Sequence, residues 1–229
     1  MSAPPLTPEM LLQAYANGYF PMALERDDPE LYWFSPEERG VLPLDTFNLP
    51  RGLKRSMRTH EYTITVDTAF EEVIRACGAK TKSRDETWIN ETIVALYTEL
   101  HRQGHAHSIE VWEKRQLVGG LYGVSLGAAF FGESMFSRAT DASKIALVML
   151  IQLLREAGYQ LLDTQYVNDH LKQFGVEAVA KKDYIRKLEK ALSASPNPSS
   201  RFSTVSVKSG AASASSLSET FESWKASLA

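Results

Sequence analysis

The spacing of hydrophobic positions changes several times along the chain and defines most of the predicted elements. Tyr62–Val66 alternates apolar and polar residues, which predicts a strand. In Ile89–Arg102 the apolar residues recur at spacings of three and four, which is the period of an amphipathic helix. The other predicted elements are a helix at Thr68–Cys77, strands at His107–Trp112, Leu117–Ser125, Ala128–Phe136 and Tyr159–Thr164, and helices at Asp141–Ala157, Asn168–Phe174 and Lys182–Leu192.

The order of these elements predicts the fold class. Three consecutive strands, a helix, a strand and further helices imply an α+β protein with a mixed sheet flanked by helices. This order resembles the acyltransferase fold of the GCN5-related N-acetyltransferase superfamily. We therefore expect an acyltransferase-like domain over residues 61–192.

The two ends of the chain differ from this region in composition. Residues 1–60 are rich in proline and aromatic residues, which predicts a small, irregular N-terminal domain with short strands. A short helix is expected after Thr7, because this residue type caps helices and a proline follows it. Thirteen of the 37 residues in 193–229 are serine. Such a segment buries too little apolar surface to offset its ordering entropy, so we expect a disordered tail.

Composition and charge narrow the class of protein. The chain has 229 residues, of which 44% are hydrophobic, and this is enough to fill a core. Its net charge of -3 does not by itself indicate a nucleic-acid partner, although a local basic patch can still bind one. The single cysteine, Cys77, excludes an internal disulfide framework and a cysteine-based zinc cluster. No apolar run approaches the ~18 residues of a bilayer span and the first residues lack the pattern of a signal peptide, so we expect a cytoplasmic protein without a membrane partner.

Glu133 is the first candidate for chemistry, because it interrupts an apolar strand. Alternation places it on one face with Phe131 and Met135. A carboxylate among apolar side chains is costly unless it is paired. Glu133 is therefore either a solvated residue of an edge strand or a pocket residue that holds a donor such as an ammonium group. The surrounding aromatic residues favour the pocket.

Asp163 and Gln165 form the second candidate site. They follow the end of a buried strand, where ligand sites collect in open α/β sheets, and alternation places them on one face. Asn168 comes three residues later, and capping of the next helix explains it at least as well as a role in a site.

Other polar clusters are weaker candidates. His101, His105 and His107 lie close in sequence but on different predicted elements, and no carboxylate partner is evident, so a zinc site is disfavoured. Basic residues concentrate in two patches: Arg51, Lys54, Arg55 and Arg58, and then Lys80, Lys82 and Arg84. Solvated surface is the ordinary explanation for such patches, and contacts with phosphates are the alternative.

A series of motifs, in order along residues 10–190, resembles the leucyl/phenylalanyl-tRNA–protein transferase family. They are Asn17-Gly18-Tyr19-Phe20-Pro21-Met22, Phe34-Ser35-Pro36, Arg39-Gly40-Val41-Leu42, Thr87-Trp88-Ile89, the run from Gly104 to Trp112, the run from Leu117 to Val124, the run from Phe131 to Arg138, Ala142-Ser143-Lys144, Asp163-Thr164-Gln165 and Asn168-Asp169-His170. Several of these motifs are long, which makes a chance match a poor explanation.

The resemblance implies an enzyme that moves Leu or Phe from charged tRNA to a protein N-terminus bearing Arg or Lys, marking that protein for the N-degron pathway. It implies no metal and no acetyl-CoA, and we expect a monomer. The site residues that it implies are Asp163 and Gln165 for proton removal, Glu133 and Asn168 as polar pocket residues, Leu121 and Phe130 in the apolar pocket, Trp88 against the terminal adenosine, and Phe34 in place of a second aromatic residue that is usually Trp. For Asp163, electrostatic orientation with the tRNA ribose relaying the proton is the alternative to acting as the base, because an ordinary carboxyl pKa of about 3.9 lies well below that of an ammonium group.

Two other functions remain open at this point. The fold alone is compatible with an acetyl-CoA-dependent N-acetyltransferase. Those enzymes hold a pyrophosphate with a glycine-rich turn at a helix start, whereas Ser137–Lys144 contains no glycine. A non-catalytic tRNA-binding adaptor is disfavoured because both Asp163 and Gln165 are present.

Overall fold

In the computed structural model, the described part of the chain comprises residues 6–26, 28, 30–80 and 87–197 and the backbone of 206–208. These residues form an α+β fold with one large mixed sheet and helices on both of its faces, which confirms the predicted fold class. The elements before residue 60 are α1 (Pro8–Ala16), β1 (Phe20–Met22), β2 (Tyr32–Phe34), β3 (Glu38–Val41) and α2 (Arg51–Thr59).

The later elements follow the predicted order with small differences at their ends. They are β4 (Thr63–Val66), α3 (Phe70–Cys77), α4 (Glu91–Arg102), β5 (Ala106–Glu113), β6 (Gln116–Leu126), β7 (Ala129–Ser137), α5 (Ala142–Glu156), β8 (Leu161–Gln165), α6 (Asp169–Lys172), β9 (Glu177–Ala180), α7 (Lys181–Leu192) and β10 (Ser206–Lys208). Helix α6 is shorter than predicted, because the chain turns after Lys172 and only one turn of helix remains.

The strands of the large sheet are ordered β10-β4-β5-β6-β7-β8-β3-β9. All neighbours are antiparallel except β7 and β8, which are parallel. Strand β3 pairs with both β8 and β9, so the N-terminal part of the chain contributes directly to the large sheet. The domain division at residue 60 stays a prediction.

Three elements were not predicted. Helix α2 is strongly basic and β9 is a largely exposed edge strand, so neither carries a clear apolar period. Strand β10 lies inside the serine-rich segment for which we expect disorder, and its backbone pairs with β4. The remainder of that segment beyond residue 197 lies outside the described residues, as do Lys82 and Arg84 of the second basic patch.

The sheet separates two apolar cores. On one face, α2, α5 and α6 cover a core that includes Leu121, Phe130 and Leu162. On the other face, α1, α3, α4 and α7 cover a core that includes Tyr122 and Phe131. Helix α5 can lie against β6 because Gly119 has no side chain, since a Cβ there would approach the Cβ of Ala142 to 2.5 Å.

The sheet has two irregularities, one in β7 and one where β7 pairs with β8. The parallel ladder between β7 and β8 ends at the pair Phe131 and Asp163, although β7 continues to Ser137. In β7 the register shifts between the pairs Gly123–Gly132 and Tyr122–Ser134, which leaves Glu133 as the extra residue of a bulge. Because of this shift Met135 packs on the α5 face, so the prediction that it shares a face with Phe131 is wrong.

Candidate active site

A cavity of about 370 Å³ lies on the α5 face of the sheet, beside the point where β7 and β8 stop pairing. Its aliphatic lining consists of Leu121, Met135, Leu147, Leu150, Leu162 and Leu171. Its polar lining includes Glu133, Ser134, Thr164, Asn168 and His170. An apolar hollow with a few polar groups is the usual form of a small-ligand site.

Glu133 lines this cavity and also reaches the opposite core. Its Oε1 atom accepts hydrogen bonds from the Tyr15 hydroxyl at 2.8 Å and from Gln165 Nε2 at 3.0 Å, and its Oε2 atom accepts one from the Tyr97 hydroxyl at 3.3 Å. Tyr15 and Tyr97 are also hydrogen-bonded to each other. Burial raises the pKa of Glu133 to about 7, although the hydrogen bonds from Tyr15 and Gln165 oppose that rise. Glu133 is therefore a pocket residue and not a solvated edge residue.

Asp163 is fully buried and accepts hydrogen bonds from three residues. The Nε and Nη2 atoms of Arg39 lie 2.9 and 2.8 Å from its Oδ1 and Oδ2 atoms, in a two-point ion pair. The Tyr184 hydroxyl donates to Oδ2 at 2.6 Å, and the backbone N–H of Gln165 donates to Oδ1 at 2.7 Å. Asp163 does not line the cavity, and its two oxygens are occupied by these partners.

Gln165 connects Asp163 to Glu133. Its φ angle of +62° lies in the left-handed region, which is unfavourable for a residue with a side chain. The hydrogen bond from its backbone N–H to Asp163 stabilises this conformation, and its side-chain amide then donates to Glu133. The predicted pair is thus close together, and Asp163 acts on Gln165 through the backbone.

Two further predicted residues, Leu121 and Asn168, also line the cavity. Asn168 caps α6 by accepting a hydrogen bond from the backbone N–H of Leu171 at 2.9 Å, so the capping interpretation is confirmed while its side chain still borders the cavity. Phe130 belongs to the same core as Leu121 but is fully buried and does not line the cavity.

Trp88 and Phe34 are not part of the cavity lining. Both are half-buried and pack on the core of the opposite face. Phe34 stacks on Phe20 with their ring centroids 6.0 Å apart, and Phe20 in turn contacts the ring of Tyr166, which follows Gln165. Phe34 is therefore connected to the end of β8 through Phe20, and Trp88 lies in the loop just before α4.

Comparison with known proteins gives the family. The C-terminal family profile, described as leucyl/phenylalanyl-tRNA protein transferase, matches residues 41–189, and the N-terminal domain profile of the same family matches residues 5–37. A leucyl/phenylalanyl-tRNA--protein transferase of Paramagnetospirillum magneticum is 57% identical over 188 residues, covering 82% of this chain and 90% of the relative. One of Maricaulis maris is 53% identical over 184 residues, covering 80% and 85%.

This chain belongs to the leucyl/phenylalanyl-tRNA–protein transferase family. It is an aminoacyltransferase, as the resemblance of its motifs predicted. Among solved structures, L-PGS from Bacillus licheniformis aligns with 79% of the chain at 14% identity and a TM-score of 0.38, which is too distant to support an argument.

Several residues of this hydrogen-bonded network were not assigned from the sequence. Arg39 lies 124 positions before Asp163, and Tyr15 lies 118 positions before Glu133. Tyr97 and Tyr184 follow helical periods that equally well indicate core packing. Arg39 stood in a family motif, but nothing local marks it as the partner of a particular carboxylate.

Two of the three clustered histidines have structural partners. His107 Nδ1 lies 2.7 Å from Asp67 Oδ2, and His101 Nδ1 contacts the backbone oxygen of Ala106 at 2.8 Å. In the parts of the chain that the structure covers, no group of three potential metal ligands comes together. Over those same parts, no helix is long and apolar enough to cross a bilayer.

Proposed function

We propose that this transferase moves Leu or Phe from charged tRNA to the N-terminal Arg or Lys of acceptor proteins and thereby marks them for N-degron degradation. It would act in the cytoplasm as a monomer. The observation that carries the proposal is the aliphatic cavity bordered by Glu133, with Gln165 hydrogen-bonded to that carboxylate. A leucyl or phenylalanyl side chain suits such a lining, whereas a polar side chain would lose its hydrogen bonds there.

The lining of the cavity predicts broad selectivity among apolar aminoacyl groups. Six aliphatic side chains line it and their contacts are not directional. An apolar pocket separates Leu and Phe from polar amino acids, but it separates Leu from Met or Ile by only about 10- to 200-fold. We therefore expect Met to be a slow substrate.

The chemical step is attack of the acceptor amine on the aminoacyl ester carbonyl. Two roles for Asp163 were open from the sequence, proton removal through Gln165 or electrostatic orientation with a ribose hydroxyl as relay. The contacts of Asp163 with Arg39, Tyr184 and the Gln165 backbone support the second role. In this proposal Asp163 is a positioning residue that holds Gln165, and Gln165 and Glu133 orient the reacting groups.

We propose that the basic surface of α2 contacts the tRNA. Arg51, Arg55 and Arg58 are exposed, and Lys54 is half-buried. Among the described residues no carboxylate forms an ion pair with any of them, and α2 packs on α5, which forms one wall of the cavity. Unpaired cations on a helix that packs on this wall suit contacts with the phosphates of an acceptor stem. Trp88 and Phe34 remain the proposed stacking partners of the terminal adenosine.

A transfer assay tests the proposal. The wild-type chain is mixed with labelled Leu-tRNA and with peptides that are identical except for a first residue of Arg, Lys or Asp. We expect label on the Arg and Lys peptides and not on the Asp peptide. A matched reaction with labelled acetyl-CoA tests the acetyltransferase alternative. Acetyl transfer without leucyl transfer would overturn the proposal.

A further inference from the structure

His170 has an unusual position at the cavity. It lies in the first turn of α6 and lines the cavity, two residues after the capping residue Asn168. Its Nε2 atom is buried and has no hydrogen-bond partner among the described residues. A buried polar atom normally has a partner, so an unpaired one in a residue that lines a ligand cavity leaves a hydrogen-bonding position that a ligand can fill.

We propose that His170 is a catalytic residue of the aminoacyl transfer, whose Nε2 atom takes the proton of the attacking amine and returns it to the ester oxygen that leaves. This inference rests on the proposed function. It gives the site a group that can accept a proton, a role for which Asp163 is poorly placed because Arg39, Tyr184 and Gln165 occupy both of its oxygens.

The charges around His170 suit this role. Burial lowers the pKa of its imidazole below the ordinary 6.5, Lys144 lowers it further, and Asp141 raises it. Lys144 and Asp141 stand at the start of α5 and form an ion pair with each other, as do Asp169 and Lys172 on α6 itself. Glu133 is the acidic group that shares the cavity. At neutral pH the imidazole is therefore uncharged and has one nitrogen lone pair available.

The proposed step balances as follows. The amine nitrogen bonds to the ester carbonyl carbon, and the proton that it loses passes to Nε2 of neutral His170. The bond between the carbonyl carbon and the ribose oxygen then breaks, with its electron pair on that oxygen. The proton on Nε2 passes to the same oxygen, which restores neutral His170 and leaves a ribose hydroxyl and a new peptide bond.

The test compares wild type with His170→Gln, which keeps a polar side chain, and with His170→Ala. A matched control is His105→Gln, since His105 lies in the turn before β5 and does not line the cavity. The readouts are kcat, KM for Leu-tRNA, the pH profile of kcat, and rescue of His170→Ala by added imidazole. We expect kcat of His170→Gln to fall by about 10²- to 10⁴-fold with KM little changed, and the control to equal wild type.

The pH profile and the rescue separate catalysis from a structural role. In wild type, part of the fall in kcat at acid pH should lie below pH 6.5 and come from protonation of His170. His170→Gln should lack this limb of the profile. It should keep the limbs that come from Glu133 and from the acceptor amine. Imidazole should restore part of the rate of His170→Ala. A near-normal kcat in His170→Gln, or a slow variant that keeps the limb and ignores imidazole, would overturn the inference. A wild-type chain that transfers no aminoacyl group would instead contradict the proposed function.

Discussion

Glu133 has contacts on both faces of the sheet. The bulge in β7 leaves it without an opposite residue on β6, at the point where β7 and β8 no longer pair. Its carboxyl group then accepts hydrogen bonds from Tyr15 and Tyr97 behind the sheet while it lines the cavity in front. A change in its charge is therefore transmitted both to the cavity and to the packing of α1 and α4.

The raised pKa of Glu133 predicts a pH-dependent stability. Its folded-state pKa is about 7 and its ordinary value is 4.5, so the unfolded chain loses this proton first as pH rises. The stabilising effect of the retained proton is therefore complete below pH 4.5 and is lost between pH 4.5 and 7. Relative to Glu133→Gln, which cannot ionise, the free energy of unfolding of wild type should fall by about 3 kcal/mol across that interval.

Urea unfolding of both proteins at pH 4.5, 5.5 and 7.5 measures this difference. Because all other titrating groups are common to the two proteins, their effects cancel in the comparison. Parallel stability curves for wild type and Glu133→Gln would show that the carboxyl group titrates normally.

Asp163 and Arg39 form a buried ion pair, and removing both members should cost less stability than the sum of the two single removals. Asp163→Ala leaves the Arg39 guanidinium buried without its partner, which should lower the free energy of unfolding by about 3–5 kcal/mol. The double variant Arg39→Met, Asp163→Leu should lose less than the sum of its single variants. A double-mutant cycle in urea measures this coupling, with the exposed helical pair Arg75 and Glu71 as a control whose coupling should not exceed about 0.5 kcal/mol. Additive losses in the buried pair would contradict the prediction.

At the level of elements, the contact between β6 and α5 supports one wall of the cavity. Gly119→Ala would place a Cβ 2.5 Å from that of Ala142, and should lower the free energy of unfolding by about 1–3 kcal/mol because neither backbone can move freely. Gly52→Ala is a matched control, since a Cβ there meets no atom within 4 Å on the exposed side of α2. Thermal and urea unfolding of the two variants should differ clearly. Equal stabilities would mean that α5 can shift away from β6.

The predictable elements are those whose apolar residues follow a regular spacing or form a run between turn residues. Helix α4 was predicted within a few residues because its apolar positions recur every three or four residues, and strands β5 to β8 because each is a largely apolar run. Helix α2 escaped prediction because only Leu53, Ser56 and Met57 are buried among many basic residues. In the site, Glu133, Asp163 and Gln165 were found because polar residues in apolar strands are conspicuous. Arg39 and Tyr15 could not be paired with them, since contacts across more than 100 residues leave no local pattern.

At the scale of the whole molecule, all cavity-lining residues among those described precede α7. A chain ending at Asn197 should keep the transfer rate of the full chain, because it contains all of these residues and because β10, the described strand that it lacks, pairs with β4, which contributes no lining residue. A chain ending at Ala180 should be inactive, because it lacks Tyr184, which donates to Asp163. Initial rates of leucyl transfer measure both. A large loss in the longer truncation would assign a role to the serine-rich segment.

The buried network has a consequence for biosynthesis. Tyr15 of the first helix donates a hydrogen bond to Glu133, and Tyr184 of the last helix donates one to Asp163. Arg39 pairs with Asp163, which lies 124 residues later in the chain. Contacts that distant in sequence form slowly, because a long loop must close before they can stabilise anything. A nascent chain whose α7 is still unsynthesised lacks Tyr184 and therefore cannot complete the hydrogen bonds around Asp163. Catalytic competence should arise only once α7 has been made and has left the ribosome, so the chain should not act on aminoacyl-tRNA before that stage of its own synthesis.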